Sequence, residues 1–152
     1  MSGWGPSPRL SLLVGLLSLG PLPLAGQVTH EWGVQSTVTT GDPVTVVVGP
    51  AWGWRVGRRD RVVLDAGIGV AEGGQVAGRG EAVWHFLLSP GAQGKPALYA
   101  GGGLAAAVTD RTRGWVVVTA GVDWSPGSRS GWMAELGVGG GVRVGLGYRW
   151  RK

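Results

Sequence analysis

From Gln27 onward, apolar residues fall on alternate positions in short runs broken by turn-forming residues. The closing stretch GVRVGLGYRWRK shows the pattern: Val142, Val144, Leu146, Tyr148 and Trp150 are apolar, and between them stand Arg143, Gly145, Gly147, Arg149 and Arg151. A period of two sends successive side chains to opposite faces of an extended strand. Seven further segments behave likewise: HEWGVQSTV, VTVVVGPAWGWRV, RVVLDAGIGV, EAVWHFLLS, ALYAGGGLAAAV, GWVVVTAGVDW and WMAELGV. The separators, among them Gly41-Asp42-Pro43, PGAQGKP and SPGSRSG, carry turn chemistry, and Glu72 to Gly80 reads as a longer Gly-rich loop. The chain is therefore expected to be all-β, with eight antiparallel up-and-down strands of about nine to twelve residues, the length a tilted strand needs to cross a hydrocarbon layer.

Sorting each strand by parity separates two faces. One holds Trp32, Val46, Val48, Leu64, Ile68, Trp84, Leu98, Leu104, Val116, Val118, Leu136 and their even-numbered neighbours. The other holds Glu31, Arg55, Arg61, Asp65, Glu81, Asp123, Glu135, Arg143 and Arg149, with Gln35, His85, Ser89, Tyr99, Thr119 and most of the strand glycines. In a water-soluble barrel the apolar set would point inward. Two features predict the reverse. Glycine weakens a water-facing strand surface, whereas inside a narrow barrel it makes room for long charged side chains that pair across the lumen. The aromatic residues are also ordered: Trp32 and Trp132 begin odd strands, while Trp52, Trp54, Trp124, Tyr148 and Trp150 finish even ones. In an up-and-down barrel those positions share one end, as a membrane-interface aromatic belt does.

The composition of the 152-residue chain fits this picture, with 31 glycines, nine tryptophans, one phenylalanine and 43% hydrophobic residues. Glycine without a three-residue period excludes collagen, and the apolar content argues against disorder. The chain contains no cysteine, which removes disulfides and thiol catalysis. At the N-terminus, Arg9, the apolar run LSLLVGLLSLG and the small-residue stretch PLPLAGQ predict a secretory signal peptide, residues 1–26, cut near Ala25 or Gly26. Residues 27–152 then form one barrel domain. Discounting Arg9 leaves 13 basic and nine acidic residues, a net charge of +4, but the basic residues are scattered and form no nucleic-acid-binding run.

With these residues in place, the mature chain resembles the small eight-stranded outer-membrane β-barrel proteins of bacteria. The stretch GWMAELGVGGGVRVGLGYRWRK is similar to their last hairpin. The resemblance implies a transmembrane barrel in the bacterial outer membrane, surrounded by its lipid. It also implies a C-terminal strand, marked by Val144, Leu146, Tyr148 and Trp150, that the barrel-assembly machinery reads. An eight-stranded barrel has an interior just wide enough for its own side chains, so a non-enzymatic structural or surface-interaction role is expected rather than a diffusion pore. The oligomeric state is not encoded in the pattern.

Catalytic and metal sites are not expected. Glu81, His85 and Ser89 share a face but are four residues apart, about 13 Å in a strand, beyond the hydrogen-bond reach of a triad. Two histidines and scattered acids give no metal-ligand spacing and no cofactor motif. Two alternatives stay open: a barrel enzyme modifying lipid A, deacylase-like, through His85 or Ser89, and a soluble lipocalin-like barrel holding an apolar ligand.

Overall fold

The computed structural model describes residues 29–89 and 95–152. The expected signal peptide, residues 1–26, lies outside them. Eight strands follow one another: β1 Thr29–Thr39, β2 Thr45–Arg55, β3 Asp60–Ala71, β4 Val76–Leu87, β5 Ala97–Val108, β6 Thr112–Asp123, β7 Ser130–Val138 and β8 Val142–Arg151. Each pairs antiparallel with its neighbours, and β1 pairs with β8, so the sheet closes into an up-and-down barrel. Closure leaves no unpaired sheet edge.

Odd-numbered side chains point into the barrel and even-numbered ones away from it, in every strand. Leu136 is 59% exposed on the outside while its neighbour Glu135 is buried. The outward set is Val, Leu, Ile, Ala and aromatic, with small or polar breaks at Ser36, Pro50, Gly78, Gly80, Gly102 and Gly114 and polar strand-end residues at His30, Thr112 and Ser130. Its single acid, Asp60, lies at the rim and accepts the Trp84 indole N–H at 3.0 Å.

Two local features shape the wall. In the β3–β4 turn Gly73 and Gly74 both have positive φ, 83° and 79°, which residues with a Cβ rarely adopt. They close a tight hairpin, and the long loop expected from Glu72 to Gly80 is reduced to Glu72–Gln75. Val76 to Gly80 thereby joins β4 and carries Arg79 into the barrel. In β2, Pro50 lies opposite Val34 of β1, and the β2–β3 ladder skips Gly49 and Pro50, as expected for a residue without an N–H.

Candidate functional site

The interior is built in layers. Nearest the end that holds both the first residue of β1 and the last of β8, Glu31 and Asp123 gather four arginines. Glu31 accepts from Arg55 Nε at 2.8 Å, Arg61 Nη1 at 3.5 Å and Arg151 Nε at 2.5 Å, with Arg149 Nη1 at 3.8 Å. Asp123 receives Arg149 Nη2 on both oxygens at 2.6 Å, and Arg61 and Arg151 stand at 4.0 and 3.7 Å. The β6–β7 loop folds over this mouth: Arg149 donates to the Ser125 carbonyl at 2.9 Å and Arg151 to that of Pro126.

Below lies a second cluster. Glu135 accepts from Gln35 at 3.0 Å, the Tyr99 hydroxyl at 3.2 Å and Arg143 Nη2 at 2.5 Å. The same Arg143 nitrogen reaches Glu81 at 3.0 Å, and Glu81 accepts from Arg79 Nε at 2.5 Å. Arg79 also donates to the Gly139 carbonyl and lies over the Trp115 ring, 5.7 Å from its centroid. His85 joins the two clusters. Arg61 Nη2, always a donor, meets His85 Nδ1 at 2.9 Å, so Nδ1 accepts and Nε2 carries the hydrogen, 3.7 Å from Glu135. Asp65 is aligned with Glu81 across the β3–β4 ladder and is half-buried.

Charged groups are tolerated away from water only where they are paired, and their aliphatic stems need packing. That packing comes from Val47, Val63, Val83, Leu87, Val117 and Met133, inward-facing and buried. Glycine supplies the space: a Cβ on Gly121 would lie 2.4 Å from Tyr99 Cζ, and one on Gly101 would lie 2.5 Å from His85 Cδ2. These two rings pack together with centroids 4.6 Å apart. Gly121→Ala is expected to displace Tyr99 from Glu135 and cost about 1–3 kcal/mol by overpacking, read as a lowered denaturant midpoint; an unchanged midpoint would mean that Tyr99 has free space beside it.

On the outside, the indoles form a ring around the same end as the first cluster. Trp32 stacks on Trp150 at 4.5 Å, Tyr148 lies edge-on to Trp150 at 4.8 Å, and Trp132 is edge-on to Tyr148 at 5.0 Å. Trp52 is aligned with Trp32 across the β1–β2 ladder, Trp54 is two residues further toward the rim, and Trp124 immediately follows β6. Trp84, deep in its segment when read from sequence, also belongs to this end through its bond to Asp60. The far rim carries Val38, Val46, Val70, Val76, Val108, Val138 and Val142 on the outside, and Trp115 points inward there.

Every residue expected on the charged face therefore faces the lumen except Ser89, which is exposed past the end of β4 and accepts the Leu98 N–H at 3.1 Å. Sequence reasoning missed Arg79, hidden in the misread loop, and Arg151, whose odd parity marks it as inward. His85, Glu81 and Ser89 are engaged separately and form no triad. Among the described residues no His, Cys, Asp or Glu cluster could hold a metal ion. Among the lumen side chains the cavities are small, about 20 Å³ beside Glu31, Arg61 and Arg149 and about 30 Å³ beside Arg79 and Trp115, whereas wider hollows of about 340 Å³ beside Trp52, Trp54 and Lys152 and about 800 Å³ beside Leu64, Gly80 and Leu104 open on the outer surface.

No protein-family model matches the chain, and no curated protein matches it in sequence. Solved barrels match it in shape. The N-terminal β-barrel domain of Pseudomonas aeruginosa OprF is 16% identical with a TM-score of 0.54, over 83% of this chain and 100% of that one. A structure described as de novo design of transmembrane beta-barrels is 19% identical with a TM-score of 0.55, over 82% of this chain and 95% of that one. The solution NMR structure of the designed barrel TMB2.3 is 14% identical with a TM-score of 0.56, over 84% of this chain and 96% of that one. The fold is thus the closed eight-stranded antiparallel barrel of which transmembrane proteins, natural and designed, provide solved examples.

Proposed function

We propose that this chain is an integral β-barrel of the bacterial outer membrane, non-enzymatic, with a lumen filled by its own side chains and a role in envelope structure or surface interaction. One observation carries the reading: the wall turns its uncharged apolar side outward, between the rims, and encloses its carboxylates and guanidinium groups. A soluble lipocalin-like barrel has the opposite polarity, and an apolar surface this continuous around a water-soluble monomer would drive aggregation. The indole ring supports the same reading, since indoles gather where hydrocarbon meets headgroups.

The lumen is read as packing in ionic form. The cavities among its lumen side chains, beside Arg149 and beside Arg79, have room for only a water molecule or two, which argues against porin-like diffusion. His85, enclosed between Arg61, Tyr99 and Glu135, has no approach for an acyl chain, which favours the non-enzymatic reading over a lipid A-modifying one. Residues 1–26 would direct export through the Sec route and be removed, and Val144, Leu146, Tyr148 and Trp150 of β8 would present the chain to the assembly machinery.

The test is extraction and heat. The mature chain is expected to leave membranes only with detergent and to change electrophoretic mobility on boiling. A mature chain that is monodisperse in buffer without amphiphiles overturns the proposal.

A further inference from the structure

Just beyond the indole ring, the belt end is edged with positive charge. Each of its four corners carries an exposed cation: Arg58 and Arg59 between β2 and β3, Lys95 before β5, Arg129 before β7, and Lys152 after β8. Among the described residues beyond the lumen, the one acid at this end is Asp60, half-buried and bonded to the Trp84 indole. The remaining residues of the β4–β5 connection, Pro90 to Gly94, are uncharged in sequence. The far end has the opposite balance, with Asp42, Glu72 and Asp110 against Arg111 and Arg113, and a β7–β8 turn of three glycines. Charges placed only for solubility have no reason to collect at one end of a cylinder, and none to choose the end where the indoles are.

Inside, the same end also carries excess positive charge. Four arginines meet two carboxylates in the mouth layer, and Arg55 and Arg151 are partly exposed, 19% and 11% at their side chains. The rim field is therefore reinforced from within the lumen. An indole ring and a cationic ring one turn further out match the order of a phospholipid surface, acyl carbonyls first and phosphodiesters beyond. Guanidinium groups pair with phosphate through two parallel hydrogen bonds. A soluble acidic partner would need the cations but not the indoles beneath them.

We infer that this rim binds the phosphates of anionic glycerophospholipids in the leaflet that holds the indoles. The inference rests on the membrane reading above, and the two are separable by experiment. The mature chain is reconstituted in vesicles of phosphatidylcholine mixed with phosphatidylglycerol, and spin-labelled lipids report which headgroup is retained at the barrel perimeter. Phosphatidylglycerol is expected to be preferred severalfold. The preference should fall toward none in high salt, because exposed charges are screened. It should fall likewise in Arg58→Gln/Arg59→Gln/Arg129→Gln and persist in Arg111→Gln/Arg113→Gln at the other end. Lys95→Gln/Lys152→Gln, which leaves the two-arginine turn intact, should lower it in part and serves if the triple variant does not fold. A barrel that inserts, shifts on heating and shows no headgroup preference overturns this inference alone, as does equal loss in the variants of the two ends. A chain that does not enter the vesicles overturns the membrane reading and this inference with it.

Discussion

Arg143→Ala is expected to be among the most damaging single changes in the lumen, costing about 3–5 kcal/mol and lowering the denaturant midpoint of the folded barrel. The side chain is wholly enclosed, and one of its nitrogens holds both Glu81 and Glu135. Removing it leaves those two carboxylates without their shared cation, with Asp65 aligned beside Glu81. Because a single nitrogen makes both contacts, a point charge can replace much of the guanidinium, and Arg143→Lys should recover more stability than Arg143→Met. Combining Arg143→Met with Glu135→Gln should also restore part of the loss, since Glu81 keeps Arg79 as its partner and the carboxylate that had only Arg143 for a guanidinium partner is then neutral. Denaturation of the four variants in detergent, followed by indole fluorescence, checks this. Equal losses for lysine and methionine would show that shape, not charge, is what the site requires.

Leu136→Arg, one residue along β7 from Glu135, tests the opposite side of the wall. It lies on the outer face between Trp132 of the indole ring and Val138 at the far rim, level with Ala120 and Val144 in the neighbouring ladders. At the bilayer midplane an arginine costs about 2–4 kcal/mol, falling to about 0–1 near the interfaces, so assembly should fail at Leu136 and survive at Val138, nearer the rim. Gly145→Leu probes the inner face, where an added Cβ would lie 2.8 Å from Glu135 Cγ. Heat-shift assays of the assembled fraction report all three. If Leu136→Arg assembles normally while Gly145→Leu is silent, the two faces have been assigned the wrong way round.

Much of this was legible from alternation alone, because a period of two in every strand admits one division into faces. Leu136 and Glu135 could be sent to opposite sides of the wall before any partner was known. Boundaries were harder: Gly73 and Gly74 read as loop, but two left-handed residues in succession tighten a hairpin, and β4 grew by the segment that brings in Arg79. Apolar residues on the inner parity, such as Val47, Val63 and Val117, were masked by runs of consecutive aliphatics, in which the period vanishes. Partner choice was not legible at all. Glu31 meets Arg55, 24 residues away, and Arg151, 120 residues away, because the stagger of neighbouring strands and barrel closure bring them together. The assembly of the cationic rim was not legible either: the Arg58–Arg59 pair, Lys95, Arg129 and Lys152 lie far apart in the chain and share one surface only when alternate turns are stacked at one end.

The aromatic side chains crown one rim, and the other is bare valine. In a bilayer such a cylinder is moored to a single leaflet. Where the membrane thickens or thins, the valine end can slide along the acyl chains without tearing an anchor from its seat, and the body can lean about its mooring. The molecule should thus accept lipids of different chain length with little loss of stability, as a post set firmly in one floor tolerates a ceiling of varying height.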